Sequence, residues 1–314
     1  MKNRIQFQHG QSLFSLFKLF GTNEQCEQAL FQARWPNGFR CPECGAQAYC
    51  FLHDRHLYQC NRCHHQTSVI AGTIFEATKL PLKIWMLAIY LITQNKDGIS
   101  TLNLARQLGI SQNSAWLLKH KLMQVMLEEE IRHPLSGRVE LDDAYWGGER
   151  HGGKRGRGAA AKHPLVAAVQ TTEEGHPIHM KCSAVKGFRK KIITQWAQKL
   201  LAPTAHVISD GLPGFKGIDA AGLEHETIVT GGGAASMDIL ALQWVNIILG
   251  NLKTALHGTY HAFRAKHLPR YLAEFNYRFN RRFKLDRLVD RFLIDALRTP
   301  PMPQRLVKLA EVAW

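Results

Sequence analysis

Three acidic side chains interrupt an otherwise apolar, strand-like run at residues 139–148, VELDDAYWGG. Glu140, Asp142 and Asp143 stand where a buried strand usually carries valine or isoleucine. A fourth acid, Asp210, ends another strand-like run, HVIS, directly before the turn GLPG. Because side chains alternate along a strand, we expect Glu140 and Asp142 on one face and Asp143 on the other. If the two strands are neighbours, Asp142 and Asp210 approach each other.

A divalent cation would account for such a pair of carboxylates. Two uncompensated carboxylates repel each other, and removing them from water adds a further cost. Mg²⁺ binds carboxylate oxygens and usually keeps several waters for exchange with a substrate. The alternative is a pair of surface acids neutralised by Arg or Lys, because structural ion pairs imitate functional sites.

Two Cys-x-x-Cys pairs, CPEC and CNRC, are separated by fifteen residues. Each pair offers two thiolates to one tetrahedral ion, and an intervening hairpin would bring the pairs together. The spacing predicts a structural zinc ribbon, with coincidental cysteine pairs as the alternative. Seven cysteines in this arrangement fit a reduced compartment better than a disulfide framework. The predicted zinc ligands are Cys41, Cys44, Cys60 and Cys63.

The elements that would position the acids form a strand-rich region after residue 138. Three strand-like runs come first, then a helix-like run at 188–201, then two more strands. This order predicts a mixed sheet with helices on its faces. The five predicted strands span residues 138–145, 163–172, 176–185, 205–211 and 225–230.

The region before residue 132 is predominantly helical outside the zinc ribbon. The run SLFSLFKLF at 12–20 has the Leu and Phe spacing of an amphipathic helix. Residues 100–122 have the form of a helix–turn–helix, with a turn at Gly109-Ile110 and a second helix capped by Ser111. An ordinary helical hairpin is the alternative, since this motif is degenerate. Side chains predicted near the outer face, able to contact DNA, are Asn113, Ser114, Lys119 and Lys121.

The charge of the whole chain favours a polyanionic partner. Its formal net charge is +15 and its pI is near 9.7, a balance typical of nucleic-acid binding, although some soluble proteins are simply basic. The glycine-rich segment 147–163 is basic, so Lys154, Arg155 and Arg157 are candidate phosphate contacts, or part of a solvated loop. We expect no membrane span, because no apolar run reaches about 18 residues, and no secretory signal.

Five segments in order carry a resemblance to a known family: RWPNGFRCPECG, VELDDAYWGG, SDGLPGF, WVNIILGNLKTALHGTYH and KHLPRYLAEFNYRFNRR. The chain resembles insertion-sequence DDE transposases with an N-terminal zinc ribbon, the ISXO-like group. The resemblance implies an α/β catalytic core, an RNase H-like mixed sheet with flanking helices, preceded by a zinc ribbon and a helix–turn–helix region. The predicted domains are a helical segment at 1–35, the zinc ribbon at 36–78, the helix–turn–helix region at 79–132, the catalytic domain at 137–298 and a tail at 299–314.

The resemblance also assigns the catalytic positions. The first two family aspartates correspond to Asp142 and Asp210. The third position, usually an acid, holds Asn246, and the basic residue seven positions later is Lys253. An i, i+7 pair lies on one helical face, so Asn246 would reach the metal and Lys253 a phosphate. Some members of the group resemble this chain in having Asn there.

A second family signature, Glu–Arg–Arg, falls on Glu274, Arg278 and Arg281. Its functional interpretation is positioning of DNA phosphates, and the alternative is an ion pair on a helix surface. Residues 253–298 contain eleven Lys or Arg against four acids, which favours DNA contact.

The predicted function is DNA transposition. Mg²⁺ or Mn²⁺ held by Asp142, Asp210 and Asn246 would support cleavage and joining of double-stranded DNA at the terminal inverted repeats and at the target, and Zn²⁺ would be structural. The resemblance implies a homodimer or higher oligomer on DNA, in the bacterial cytoplasm and associated with the nucleoid. Two alternatives remain: a catalytically inactive DNA-binding regulator, which Asn246 favours, and a nuclease that cleaves without joining.

Overall fold

The computed structural model describes residues 9–147, 162–229, 240–260 and 263–310. Contacts divide the chain into two compact units, Met1–Val125 with Arg281–Trp314 and Met126–Asn280. Within the described ranges no helix is long and apolar enough to cross a membrane.

The described residues contain α-helices in both units and two separate β-sheets. The helices are α1 (Leu13–Phe20), α2 (Asn23–Arg34), α3 (Leu82–Gln94), α4 (Thr101–Leu108), α5 (Gln112–Ile131), α6 (Lys190–Leu200), α7 (Gln243–Tyr260), α8 (Leu268–Asn280), α9 (Leu288–Arg298) and α10 (Gln304–Leu309). The strands are β1 (Tyr49–Leu52), β2 (Leu57–Cys60), β3 (Gln66–Thr67), β4 (Leu135–Trp146), β5 (His163–Thr171), β6 (Pro177–Ala184), β7 (Leu201–Asp210) and β8 (Glu224–Ile228).

The first unit begins with the predicted amphipathic helix, α1, which buries Leu16 and Phe20. The next helix, α2, starts with a capping box. The Gln25 amide donates to Thr22 Oγ1 at 3.2 Å, and the Thr22 amide donates to Gln25 Oε1 at 3.1 Å. These two bonds satisfy backbone donors that a helix start would otherwise leave unpaired. After α2, β1, β2 and β3 form an antiparallel sheet.

The two helices predicted around residue 110 are α4 and α5. Helix α4 ends at Gly109, whose φ of +64° is a left-handed conformation that glycine adopts without strain. The side chain of Ser111 caps α5, because its Oγ accepts the amide of Ser114 at 3.1 Å. The predicted turn and cap are confirmed.

Helix α9 packs within the first unit, against α2 and α3. Its apolar face buries Val289, Phe292 and Leu293. The sequence-based catalytic domain extends to residue 298, whereas the second unit ends at Asn280. The stretch 281–298 therefore lies with the N-terminal unit, because the apolar face of α9 is covered there.

The second unit contains a five-stranded sheet with the order β6-β5-β4-β7-β8. Strand β5 runs antiparallel to β4 and β6, and the pairs β4–β7 and β7–β8 are parallel. The predicted mixed sheet is therefore confirmed, and its five strands fall within a few residues of their predicted positions.

Helices cover both faces of the central strand β4. Val139 and Leu141 share a buried core cluster with Ile193 and Ala197 of α6. Glu140, the residue between them, points to the opposite face and hydrogen-bonds to the start of α7. The strand is therefore fixed from both sides just before Asp142.

Candidate active site

Asp142 and Asp210 lie where two parallel strands separate. The pairing of β4 with β7 ends at Leu141 and Ser209, and the two aspartates are the next residues on their strands. The carboxyl ends of adjacent parallel strands are a common place for a ligand site, because the diverging chains leave an open crevice. The predicted approach of these two side chains is therefore observed.

Three carboxylates converge at this point. Oxygens of Asp142, Asp143 and Asp210 all lie within 4.8 Å of one another. Alternation predicts Asp143 on the other face of the strand; its carboxylate nevertheless comes within reach of Asp142 and Asp210. At this point β4 has parted from β7 but is still paired with β5, and the Asp143 amide donates to Asp142 Oδ1 at 2.7 Å.

The electrostatics of the cluster favour a bound cation. The pKa of Asp142 rises from 3.8 to about 7, chiefly because burial removes water from its carboxylate. The negative charges of Asp210 and Asp143 raise the pKa further, while the Asp143 amide and the charge of Lys253 oppose the rise. A divalent ion at the cluster would supply the missing positive charge, and carboxylate oxygens are ligands that Mg²⁺ and Mn²⁺ accept.

Glu140 has a different task from its acidic neighbours. Only 1% of its surface is exposed. Its Oε2 accepts the amides of Trp244 at 2.8 Å and Val245 at 3.1 Å, and Arg138 donates to its Oε1 at 3.2 Å. A carboxylate held in this way caps the positive end of a helix. Sequence analysis placed Glu140 on the same strand face as Asp142 and missed this cap, because the two capped amides lie more than 100 residues away.

The third predicted catalytic residue, Asn246, lies in the first turn of α7, next to the backbone amides that Glu140 caps. Asn246 follows Val245 directly and is half-buried. Lys253 lies two turns later on α7, exposed, and its charge weakly opposes the rise in the pKa of Asp142. The helix therefore brings at least Lys253 into the electrostatic range of the carboxylates.

The four predicted zinc ligands converge in the first unit. All four sulfurs lie within 4.8 Å of one another, with 3.6 Å between Cys41 and Cys63 and 3.6 Å between Cys44 and Cys60. Tetrahedral zinc with bonds of about 2.3 Å separates its sulfur ligands by about 3.8 Å. Backbone amides, chiefly that of Cys63, lower the pKa of Cys60, whereas burial and the neighbouring thiols raise the pKa of Cys63. The donor set fits a structural zinc ion.

Comparison with family models agrees with both centres. Residues 134–280 match the ISXO2-like transposase domain, and residues 21–66 match the transposase zinc-ribbon domain. Together the two matches span more than half of the chain and include both ligand clusters. The chain belongs to the ISXO2-like, zinc-ribbon transposases of insertion sequences.

Two individual proteins resemble this transposase at low sequence identity. An uncharacterized protein in transposable element ISH50 of Halobacterium salinarum is 26% identical over 220 residues, which cover 64% of this chain and 72% of the relative. Among solved structures, the Mos1 mariner paired end complex with Mn aligns over 67% of this chain and 78% of that chain. Its identity is 12% and its TM-score is 0.24, which is too low to establish a shared fold.

One predicted DNA contact of the transposase is buried. Lys119 has no exposed surface, and its Nζ donates to the Ile99 carbonyl at 2.5 Å. It follows buried Ala115 by four residues and precedes buried Leu122 by three, so it lies on the inner face of α5. Its placement on the outer face was therefore wrong. Asn113 is exposed and Ser114 is half-buried.

The Glu–Arg–Arg signature is also mostly internal in this transposase. Arg278 is 8% exposed and its Nη1 lies 2.6 Å from Glu274 Oε1. Tyr260 donates its hydroxyl to the other oxygen of Glu274 at 2.7 Å. Arg278 therefore makes a buried ion pair with Glu274 and not one on the helix surface, its role in positioning DNA phosphates stays a prediction, and Arg281 is half-buried. The remaining predicted contacts, Lys154, Arg155 and Arg157, lie outside the described residues.

A series of side-chain hydrogen bonds, not predicted from the sequence, links the residues next to Asp210 to strand β8. The Ser209 hydroxyl lies 2.8 Å from His225 Nε2 and 2.9 Å from the Asp210 carbonyl, and His225 Nδ1 lies 3.1 Å from Asp219. The order Ser–His–Asp is that of a nucleophilic triad, but Ser209 is completely buried, so no substrate reaches it. These hydrogen bonds instead connect the end of β7 to β8. The Leu212 amide, which donates to Asp210 Oδ1 at 3.2 Å, orients the carboxylate itself.

Proposed function

We propose that this chain is a metal-dependent DNA transposase that cleaves DNA at the ends of its own insertion sequence and joins those ends to a target. Membership of the family supports the reaction class. The observation that carries the proposal is the convergence of Asp142 and Asp210 at the ends of adjacent parallel strands.

Asp142, Asp210 and Asn246 would hold the catalytic ions, with Asp143 within reach as a further oxygen donor. Paired Mg²⁺ or Mn²⁺ ions, when bound, stabilise the entering and leaving oxygens of an in-line displacement at a phosphodiester. Asp142 and Asp210 present their carboxylates from rigid strand ends, which keeps the geometry fixed during both cleavage and joining. Lys253 contributes a positive charge where the scissile phosphate would lie.

Glu140 would act as a positioning residue for this centre. It fixes the first turn of α7 to β4 through the amides of Trp244 and Val245. Asn246 is the next residue, so the same anchor sets its distance from Asp142. The amide oxygen of Asn246 is a weaker Mg²⁺ ligand than a carboxylate, and a firmly held helix compensates by limiting its freedom.

We further propose that the catalytic unit is RNase H-like and that α4 and α5 form a helix–turn–helix. The sheet order, with an antiparallel second strand among parallel neighbours, supports the first assignment. The Ser111 cap and the Gly109 turn support the second. Asn113 and Ser114 at the start of α5 are the proposed DNA contacts of this region.

Double-stranded DNA, both element ends and target, is the proposed partner. The net charge of +15 supports it, since affinity for DNA depends on Lys and Arg that replace counterions. Lys154, Arg155, Arg157 and Arg281 remain proposed phosphate contacts on their charge. We also propose that the chain acts as a homodimer or higher oligomer on DNA, and that it is cytoplasmic and nucleoid-associated in a bacterium.

The alternative function is a DNA-binding regulator without catalysis. One specific observation favours it: Asn246 occupies a position where the family usually has an acid. A regulator would keep the fold, the zinc ribbon and DNA binding while losing the metal-dependent steps. Only the chemistry of DNA cleavage separates the two functions.

A strand-transfer assay tests the proposal. Labelled duplexes ending in the inverted repeat that borders the gene are incubated with wild-type protein and Mg²⁺ or Mn²⁺. We expect joined products from the wild type and none from Asp142→Ala or Asp210→Ala, because each change removes a charged ligand. Asn246→Ala should lose activity that Asn246→Glu retains. Glu173→Ala, an exposed acid in the turn between β5 and β6, serves as the matched control and should remain active.

Each other outcome selects a different function. Cleavage without joining would indicate a nuclease. Binding without cleavage by the wild type would indicate a regulator. Full activity of Asp210→Ala would show that the site is assigned wrongly.

A further inference from the structure

A groove lies between α2 and the β1–β2 hairpin of the zinc ribbon. Its volume is about 360 Å³. The walls contain the aromatic rings of Phe31, Tyr49, Phe51 and Tyr58. The rings contact one another, with centroids 5.0 Å apart for Phe31 and Tyr58 and 4.9 Å apart for Phe51 and Tyr58. Aromatic rings attract a cation through the negative charge of their faces, so a groove lined by four of them suits a cationic side chain.

Acidic side chains border the same groove. Glu24 and Glu27 project from α2, and Glu27 Oε2 lies 3.2 Å from His56 Nδ1 on the opposite side. Glu24 is exposed, and hydrogen bonds from its own amide and from Thr22 lower its pKa, so it remains ionised. Aromatic walls with a carboxylate border are suited to a cation on an apolar stem, which is the form of a Lys or Arg side chain.

The charge of the zinc ribbon is unlike that of the whole chain. Residues 21–66 contain four Arg and four Asp or Glu, whereas the chain carries a net +15. Four thiolates around one zinc ion add about two negative charges to this segment. Binding to a DNA backbone requires an excess of Lys and Arg, so the groove is a poor phosphate site and a good match for a basic protein surface.

We propose that this groove docks a Lys or Arg side chain from the basic surface of a second copy of this chain. The aliphatic stem would pack against Phe51 and Tyr58, and the charged end would meet Glu24 and Glu27. Arg and aromatic residues are the side chains most enriched where protein surfaces bind each other. The zinc ribbon would thereby join subunits instead of holding DNA. The proposal does not depend on whether the chain is catalytically active.

Self-association of the full-length, zinc-loaded protein tests the proposal. Sedimentation equilibrium at several salt concentrations gives the dissociation constant of the wild type, of Glu24→Lys/Glu27→Lys and of Phe51→Ala. The control is Glu43→Lys, which makes one such charge reversal, half the change of the double variant, at an exposed acid of the ribbon outside the groove. We expect the double reversal and Phe51→Ala to weaken association at least tenfold, and Glu43→Lys to change it less than twofold.

A milder pair, Glu24→Gln/Glu27→Gln, keeps the test valid if the reversal disturbs folding. Zinc content and the thermal melt establish that each variant is folded. The proposal is overturned if the wild type is monomeric both alone and with a short element-end duplex. It is also overturned if the groove variants and Glu43→Lys have equal effects, or if the double reversal leaves association unchanged and strengthens binding to the duplex, which would place the groove against DNA.

Discussion

At the residue scale, two features of Asp142 disfavour its negative charge. It is half-buried and it lies beside two other carboxylates, and together these raise its pKa to about 7. A bound metal ion would favour the charged carboxylate again. A proton and a divalent cation therefore compete for the same oxygens near neutral pH. The competition gives the site a pH dependence that a surface ion pair would lack.

The metal-free, zinc-loaded protein should lose stability as pH rises from about 4 to above 7. In that window folded Asp142 keeps a proton that the unfolded chain, with a pKa of 3.8, has released. The folded state then binds more protons than the unfolded state, so the free energy of unfolding falls with pH. Urea denaturation at several pH values measures the slope. Mg²⁺ should restore more stability at pH 8 than at pH 5.5.

The control for this prediction is Asp142→Asn, which should flatten the pH dependence and remove the response to Mg²⁺. Identical slopes for the wild type and Asp142→Asn would mean that another group controls the pH dependence.

At this scale, sequence patterns predicted the contacts of a side chain only where its neighbours are close in sequence. The cysteine spacing identified four thiols that do meet. Alternation did not predict that the Asp143 carboxylate comes close to those of Asp142 and Asp210, which happens where β4 leaves β7. The prediction that Lys119 faces solvent rested on its charge and was wrong. Its helical spacing from Ala115 and Leu122 already placed it on the buried face of the helix.

At the scale of elements, the start of α7 depends on one side chain of β4. Glu140 accepts two amides of the first turn of α7 and also pairs with Arg138. Apolar runs were enough to predict all five strands of the sheet and the helix α6. The attachment of α7 was not predictable, because no local pattern states which distant helix a buried acid will cap.

Glu140→Ala should weaken binding of Mg²⁺ or Mn²⁺ by about 10-fold, the lower end of the effect of removing a residue that orients metal ligands. Glu140→Gln should bind metal nearly as well as the wild type, because its amide oxygen still accepts from Trp244 and Val245. Calorimetric titration with Mn²⁺ measures both. A binding loss equal to that of Asp142→Ala in both variants would instead make Glu140 a ligand.

A matched control separates positioning from general destabilisation. Asp295 is also 1% exposed and lies 3.4 Å from Arg291, but it belongs to the other unit. Asp295→Ala should lower the melting temperature and leave Mn²⁺ affinity unchanged. If metal affinity simply follows melting temperature in all variants, Glu140 has no specific role.

At the scale of the whole molecule, a strongly basic chain contains a small acidic cluster. The positive surface would gather DNA, and the cluster would act on one phosphodiester within it. The sequence predicted the sheet and the family, but extended the catalytic domain through α9. The apolar face of a helix does not reveal from sequence which other helix covers it. The packing of α9 on α2 and α3 was therefore visible only in the structure.

Binding to element-end DNA should weaken steeply with salt. Each phosphate neutralised by Lys or Arg contributes about −0.9 to the slope of log K against log salt. Fluorescence anisotropy between about 50 and 200 mM salt should give a straight line with a slope consistent with several phosphate contacts. Asn113→Ala should lower affinity for the end sequence while leaving that slope unchanged, since Asn carries no charge. A slope near zero would contradict electrostatic DNA binding.

The most direct test of the account is anomalous diffraction from crystals of the protein with an element-end duplex and Mn²⁺. We predict a manganese peak bonded to carboxylate oxygens of both Asp142 and Asp210, beside the terminal phosphodiester. A map in which zinc is visible at the four cysteines, but no manganese is shared by the two aspartates, would contradict it.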